Sequence, residues 1–344
     1  MSRLASVLRR HPTQIITAVV LVLLFLAPLL GASVFATVIL TQVFAYALIA
    51  MSINFVAGYA GLYTLAHAAY AGVGAYAAVL VSRNLSHNGL VQLAMAVLAG
   101  GAIAAVTGWI AVRASGTYFL MLSLAIGELL HILAMQWRSV TKGDDGLSAG
   151  PAFELIPGVP VVLSGYVYWI ALVVFCLFGG LLLVVARSPF GASLRGIRDN
   201  EARMRALGYP TSLYKYLGWV FSGLVAGAAG WILVAQLPRF ITPAQLSFHL
   251  AGLLLLAVVI GGLGSMWGSC LGAALVVYMT DVVSQDLGGR GKLVLGIVFV
   301  LAVYLLPRGL AGLRRGRGAN AGAAGDGRTE TSAAAPRASE EVSV

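Results

Sequence analysis

The sequence predicts an all-α polytopic integral membrane protein of about ten transmembrane helices, on three observations. The first is composition. Of 344 residues, 60% are hydrophobic and only 10% charged, where soluble domains carry about 25% charged residues. The second is the length of the uncharged runs. A span needs about 18 or more consecutive apolar residues, and residues 13–30, 34–57, 91–112, 166–186 and 216–237 supply them. Residues 63–81, 118–137, 247–263, 267–283 and 293–306 are shorter or more broken. The third is the distribution of basic residues, which fits an even number of crossings.

Taken in order, residues 1–12 carry Arg3, Arg9 and Arg10 and belong in the cytoplasm by the excess of positive charge on that side. The run 13–30 is too long and uninterrupted for a removed signal peptide. Ala68-xxx-Gly72, Gly223-xxx-Gly227, Gly264-xxx-Gly268 and Gly268-xxx-Gly272 put small residues one helical turn apart, a spacing that lets helices approach closely in lipid. Residues 138–165, with Lys142, Asp144, Asp145 and Glu154, fall outside, as do residues 238–246. Residues 13–313 make one transmembrane domain. The tail 314–344, almost without large apolar residues, is expected to be disordered and cytoplasmic. Its Arg314, Arg315 and Arg317 suit an anionic lipid surface. The net charge of +10 reads as cytoplasmic loops, not as nucleic-acid binding. Cys176 and Cys270 read as small buried hydrophobes.

One segment breaks the pattern. The loop 187–215 holds Arg187, Arg195, Arg198, Arg203, Arg205 and Lys215, together with Asp199 and Glu201. Pro189 can open a helix. Leu194, Ile197, Met204 and Leu207 recur at helical spacing, with a break at Glu201. Asp199 or Asn200 can cap a second short helix, and Gly208 and Pro210 can end it. One or two amphipathic helices on the cytoplasmic face follow. They either rest on lipid or dock an apolar stripe into a partner.

Glu128, midway along 118–137, is an intramembrane charge, and so either makes a structural hydrogen bond to neighbouring helices or stands on a translocation path or at a hinge. Asp281, near the end of its span, and His67 read as structural. The two glycine-rich stretches "GYAGLYTLAHAAYAGVGAY" and "GGLGSMWGSCLGAAL" both follow an apolar span at the same side. Broken helices in internal repeats face each other in transporters. Asn54, Gly58, Gly61, Gly262 and Gly264 are therefore candidates for path lining or for close packing. "DLGGRGKL" at 286–293 lacks the first glycine and the final Ser/Thr of a phosphate loop. No motif of an enzyme is present, so an ATP-driven reading places ATP on another chain.

At the charged loop the sequence becomes recognisable. "SPFGASLRGIRDNEARMRALGYPTSLYKYLGWVFSGLVAGAAG" resembles the cytoplasmic loop and next span of branched-chain amino acid ABC transporter permeases of the LivM type. "SINFVAGYAGLYTLAHAAYAGVGAYAA", "ASGTYFLMLSLAIGELLHIL", "TKGDDGLSAGP", "LAVVIGGLGSMWGSCLGAAL" and "LLPRGLAGL" are similar to the same family, in order.

The resemblance implies an ABC importer permease fold in the bacterial inner membrane, with both termini cytoplasmic and no cofactor held by this chain. Its implied partners are two ATPase subunits, a second permease of the LivH type, a periplasmic or extracellular solute-binding protein and membrane lipid. It makes the loop a coupling helix for the ATPase, with Arg198, Glu201, Ala202, Met204, Leu207 and Gly208 as its residues and the charges as rim contacts. The second alanine of the family's EAA-like motif is Arg203 here, and Gly208 stands seven residues after Glu201. The implied cargo is leucine, isoleucine or valine. Relatives that carry urea, amides or aromatic acids, and an ion-coupled secondary carrier of a different class, stay open as alternatives.

Overall fold

Helices begin where the local chemistry allows them. The computed structural model describes residues 33–150, 164–236 and 239–283, with short pieces at 25–26, 28, 154–156, 159–160 and 296–297. Helix α1 (Val34–Asn54) starts at Ser33, whose hydroxyl accepts the Ala36 N–H at 3.2 Å. It runs into a π-helical turn, Phe55–Tyr59. Then follow α2 (His67–Asn84), α3 (Gly89–Ala111), α4 (Gly116–Gln136) and a single turn, α5 (Arg138–Thr141). Asn88 caps α3 by accepting the Leu90 N–H at 2.9 Å. Beyond β1 (Leu147–Ser148), β2 (Glu154–Ile156) and β3 (Val159–Pro160) come α6 (Ser164–Arg187), α7 (Pro189–Asp199), α8 (Glu201–Ala206) and α9 (Thr211–Ala235). After β4 (Phe240–Ile241), α10 (Phe248–Gly261) and α11 (Met266–Val277) form a hairpin that ends in a second π-helical turn, Tyr278–Val283.

Eight of the ten expected spans coincide with these helices. Nearly all of the runs 13–30 and 293–306 lies outside the described residues, as do the tail and the segment 286–293. Six described helices are long and apolar enough to cross a membrane, while α10 is a shorter apolar helix.

Small residues set the packing. In α9, 78% of the most apolar window is buried, against 28% in α4, so α9 is the axis of the bundle and α4 lies at its edge. Gly223 and Gly227 place α9 against Ala104 and Ala96 of α3, and Gly230 places it against Ala71 and Ala75 of α2. Gly268 and Gly272 press α11 onto Gly261 and Ala257 of α10. The spacings on α9 and α11 are therefore close contacts between helices, whereas Gly72 of α2 makes room for the Leu246 side chain. Trp219 is fully buried among the rings of His67, Tyr70 and Phe119. His67 is a packed polar residue, bonded through Nε2 to Ser222 Oγ at 2.8 Å and through Nδ1 to Thr64 Oγ1 at 3.3 Å. Cys176 departs from expectation: it is exposed on α6, because the outward side of an edge helix needs only an apolar side chain.

The two ends of the bundle are distinct. At one end β1 pairs with β4, Leu147 opposite Ile241 and Ser148 opposite Phe240. Ser82 donates to the Ala149 carbonyl at 2.8 Å, and His131 Nδ1 meets the Pro243 carbonyl at 2.9 Å. Residues 147–149 and 240–243, from the two segments expected outside, thus meet on one face. The charged loop and the two glycine-rich breaks meet at the other.

Candidate functional site

The site is built from three pieces of chain that approach at the loop-bearing end. The first is the π-helical turn after α1. A π-turn adds a residue to the helix and misaligns its carbonyls, which is why such turns mark functional sites and bends. The second is the turn 262–265 between α10 and α11. Gly262 (φ 102°) and Gly264 (φ 80°) hold backbone conformations that side chains with a Cβ rarely adopt. Ser265 then caps α11, accepting the Gly268 N–H at 3.1 Å. The third piece is α7 and α8.

Asn54 joins the first two pieces. Its side chain is fully buried. Nδ2 donates to the Ser265 carbonyl at 2.8 Å and to Ser269 Oγ at 2.7 Å. Oδ1 accepts the Gly264 N–H at 2.8 Å. Gly58 lies against the same turn: a Cβ there would stand 2.5 Å from Gly264 N and 2.6 Å from Asn54 Oδ1. Of the set Asn54, Gly58, Gly61, Gly262 and Gly264 picked from sequence, Asn54, Gly58 and Gly264 thus form one contact. Asn54 is closely packed between the two breaks. Gly58 and Gly61 also line a cavity of about 460 Å³ that reaches Ser115, Gly116, Arg198, Lys215 and Leu263.

The loop helices form as the local chemistry directs. Pro189 sits in the first turn of α7. Asn200, not Asp199, caps α8 by accepting the Arg203 N–H at 2.9 Å. Gly208 closes α8 at φ 87°. The apolar stripe, however, divides. Leu194 and Ile197 are buried in the chain's own core, with Leu194 over Gly218. Met204 packs its sulfur over Gly196. Among the four, Leu207 alone is well exposed, beside the exposed Ala202 and Gly208. Three of the four residues of that apolar stripe therefore hold α7 and α8 to this chain.

Two of the charges also reach into this chain. Glu201 accepts from Lys215 Nζ at 2.5 Å, Arg205 Nη2 at 2.7 Å and Thr211 Oγ1 at 3.2 Å. Lys215 is 6% exposed, so this carboxylate fastens α8 to the first turn of α9 and is not a rim contact. Arg198 donates through Nη1 to the Gly58 carbonyl and pairs with Asp199 at 3.2 Å. Glu128 is half-buried on α4, about 18 Å along the helix from Gly116 at 1.5 Å per residue. It makes no hydrogen bond or ion pair among the described residues and lies apart from the site. Asp281 accepts from Gln42 Nε2 at 2.8 Å, the structural role expected of it.

Burial alone would raise the Glu201 carboxyl. The hydrogen bond and charge of Lys215, then the bonds from Arg205 and Thr211, outweigh it and hold the group below the usual carboxylate range. A lowered folded-state pKa gives stability that is present above the unfolded value and lost as pH falls through the folded one. Glu201→Gln is thus expected to cost about 1–2 kcal/mol at pH 7, a charged hydrogen bond discounted for partial exposure. The difference in thermal midpoint from wild type should be full above the unfolded carboxylate value of about 4.3 and shrink as pH falls through the lowered folded value. A difference that stays constant from pH 7 down through the acid range contradicts this account.

Residues 35–303 match the family described as "Branched-chain amino acid transport system / permease component". The chain belongs to this family. It is a multi-pass membrane permease and a transport subunit, not an enzyme. The high-affinity branched-chain amino acid permease protein LivM of Salmonella typhimurium is 27% identical over 299 residues, covering 80% of this chain and 70% of that protein. The LivH permease of the same organism is 26% identical over 284 residues, covering 78% and 91%. The L-arabinose ABC transporter permease AraH of Azospirillum brasilense is 26% identical over 243 residues, covering 67% and 70%. No solved structure matches the chain significantly. The sequence had flagged Arg198, Glu201 and Gly58, but not that Arg198 meets Gly58 or that Glu201 meets Lys215, pairs 140 and 14 residues apart.

Proposed function

We propose that this permease carries leucine, isoleucine or valine inward across the bacterial cytoplasmic membrane, powered by two ATPase subunits docked on the face that bears α7 and α8. A second permease of the LivH kind completes the pathway, and a solute-binding protein delivers cargo to the opposite face. The face with Arg187, Arg195, Arg203 and Arg205 is cytoplasmic by its excess of positive charge. The outward side of α4, which carries Glu128, faces the second permease across the path.

The observation that carries this reading is the arrangement of the loop. It is anchored from within by Leu194, Ile197 and Glu201 and presents Ala202, Leu207 and Gly208 outward. A loop that merely rested on lipid would have no use for a fixed, capped and internally braced helix. The ion-coupled carrier has less support. A carrier of that kind uses a relay of intramembrane charges. Among the described residues the acids within spans are Glu128 and Asp281, and Asp281 is bonded to Gln42.

The test is co-purification from mild detergent, comparing wild type with the double variant Ala202→Trp, Leu207→Asp, which leaves the Glu201 contacts alone. The expected result is an ATPase and a second permease with wild type, and loss of the ATPase only from the variant. A wild-type chain that purifies alone and moves amino acids in liposomes without ATP would overturn the reading.

A further inference from the structure

The end of α7 touches the site at three points. Arg198 Nη1 donates to the Gly58 carbonyl. The methylene stem of Arg198 lies where a side chain on residue 61 would be, for a Cβ on Gly61 would stand 2.7 Å from Arg198 Cγ. One turn earlier, the Arg195 guanidinium sits 5.4 Å over the Tyr59 ring. Gly58 and Tyr59 both belong to the π-helical turn that follows α1. Gly58 is in turn pressed against Gly264, and Gly264 donates to Asn54. A continuous line of contacts therefore runs from α7 through the π-turn to the turn between α10 and α11.

Resting on the docking role of α7 and α8 proposed above, we infer that Arg198 is the positioning residue through which movement of this loop reaches the π-turn and, by way of Asn54, the α10–α11 hairpin. Three physical points support it. Coupling between sites is carried by chains of packed side chains and hydrogen bonds, and a π-turn is a local departure from the α-helix of a kind that recurs at functional sites. The carbonyl that Arg198 meets is among the last of a helix, where helical partners run out and a cation is favoured by the helix dipole. Its planar fork gives this bond a fixed direction, so the guanidinium can pull as well as push. The other inward charge of the loop, Glu201, fastens α8 to α9, the buried axis of the bundle, and provides the support about which α7 tilts.

A residue that only caps a helix end would affect stability. A residue that transmits movement sets the ratio of cargo moved to ATP hydrolysed. The experiment measures both rates in proteoliposomes containing the whole importer, with wild type, Arg198→Gln and Arg198→Lys. Gln keeps the stem over Gly61 but is too short to reach the Gly58 carbonyl; Lys keeps reach and charge. The expected result for Arg198→Gln is full assembly and retained ATP hydrolysis, with uptake per ATP lower by about tenfold, within the usual range of coupling energies. Arg198→Lys, with the charge and reach but not the fork, should restore only part of that ratio. The inference is overturned if uptake and hydrolysis fall together in Arg198→Gln, or if the ratio stays at the wild-type value. Should Arg198→Gln fail to assemble, the double variant Arg198→Gln, Asn54→Ala is not needed: wild-type coupling in Asn54→Ala alone equally overturns the line of transmission. Absence of any ATPase from the wild-type preparation is a different failure, that of the docking reading itself.

Discussion

Asn54→Leu is expected to abolish uptake and to lower stability by about 3 kcal/mol or more. Leucine is close to asparagine in size, so the change removes chemistry with little change of volume. It leaves the Gly264 N–H and the Ser265 carbonyl without the partners Asn54 supplies, and Ser269 Oγ without its donor. Each buried group stripped of its partner costs about 1–3 kcal/mol. Ser269 recovers part of this through its own bond to the Ser265 carbonyl at 3.3 Å. The effect on uptake exceeds the effect on stability, because the bonds lost are those that hold the break after α1 against the break before α11. The measurement is solute uptake together with the thermal midpoint of the purified complex. Uptake near wild type, or a stability change within about 0.5 kcal/mol, as at an ordinary surface site, would remove Asn54 from this role.

Gly230→Val is expected to prevent accumulation of folded protein. A Cβ at residue 230 would overlap the Ala71 carbonyl and stand 2.8 Å from the Ala75 backbone nitrogen. Both are main-chain atoms of α2, which cannot rotate aside as a side chain would. The two helices must separate, and the packing of α9 with α2 and α3 goes with them. Overpacking of a tight core costs about 1–3 kcal/mol where side chains can yield and more where they cannot. A loss beyond about 4 kcal/mol is expected here, in the range reserved for a named structural fault. Gly180→Val on α6 is the control, since nothing lies within 4 Å of a Cβ there. Size-exclusion profiles of the detergent-extracted chain distinguish the cases: Gly180→Val elutes as wild type and Gly230→Val is aggregated or absent. A wild-type profile for Gly230→Val would mean that α2 and α9 are not this close.

Much of this protein is local, and what is local could be read from the chain. Runs of apolar residues place the helices, because lipid requires every backbone group to be satisfied within its own segment. Pro189, Asn200, Gly208 and Pro210 start and stop α7 and α8 through bonds that span only a few residues. The glycine spacing on α9 and α11 marks where backbones touch. The alternative for Asn54 and its glycines, path or packing, stayed open because a buried amide and a path-lining amide look alike in sequence.

What only the tertiary structure decided is which way the loop residues face and what they meet. Periodicity says that Leu194, Ile197, Met204 and Leu207 share a face, but not whether that face belongs to this chain's core or to a partner. The body of the protein claims the first three, with Leu194 and Ile197 in its core, and leaves Leu207 outside. Nor does a sequence say that Arg198 reaches Gly58, or that Asn54 meets a turn 211 residues further on. Those pairings follow from helices crossing the bundle in opposite directions, which brings distant segments to the same end. A charge in a loop takes its role from the backbone that arrives beside it, and that backbone comes from elsewhere in the chain.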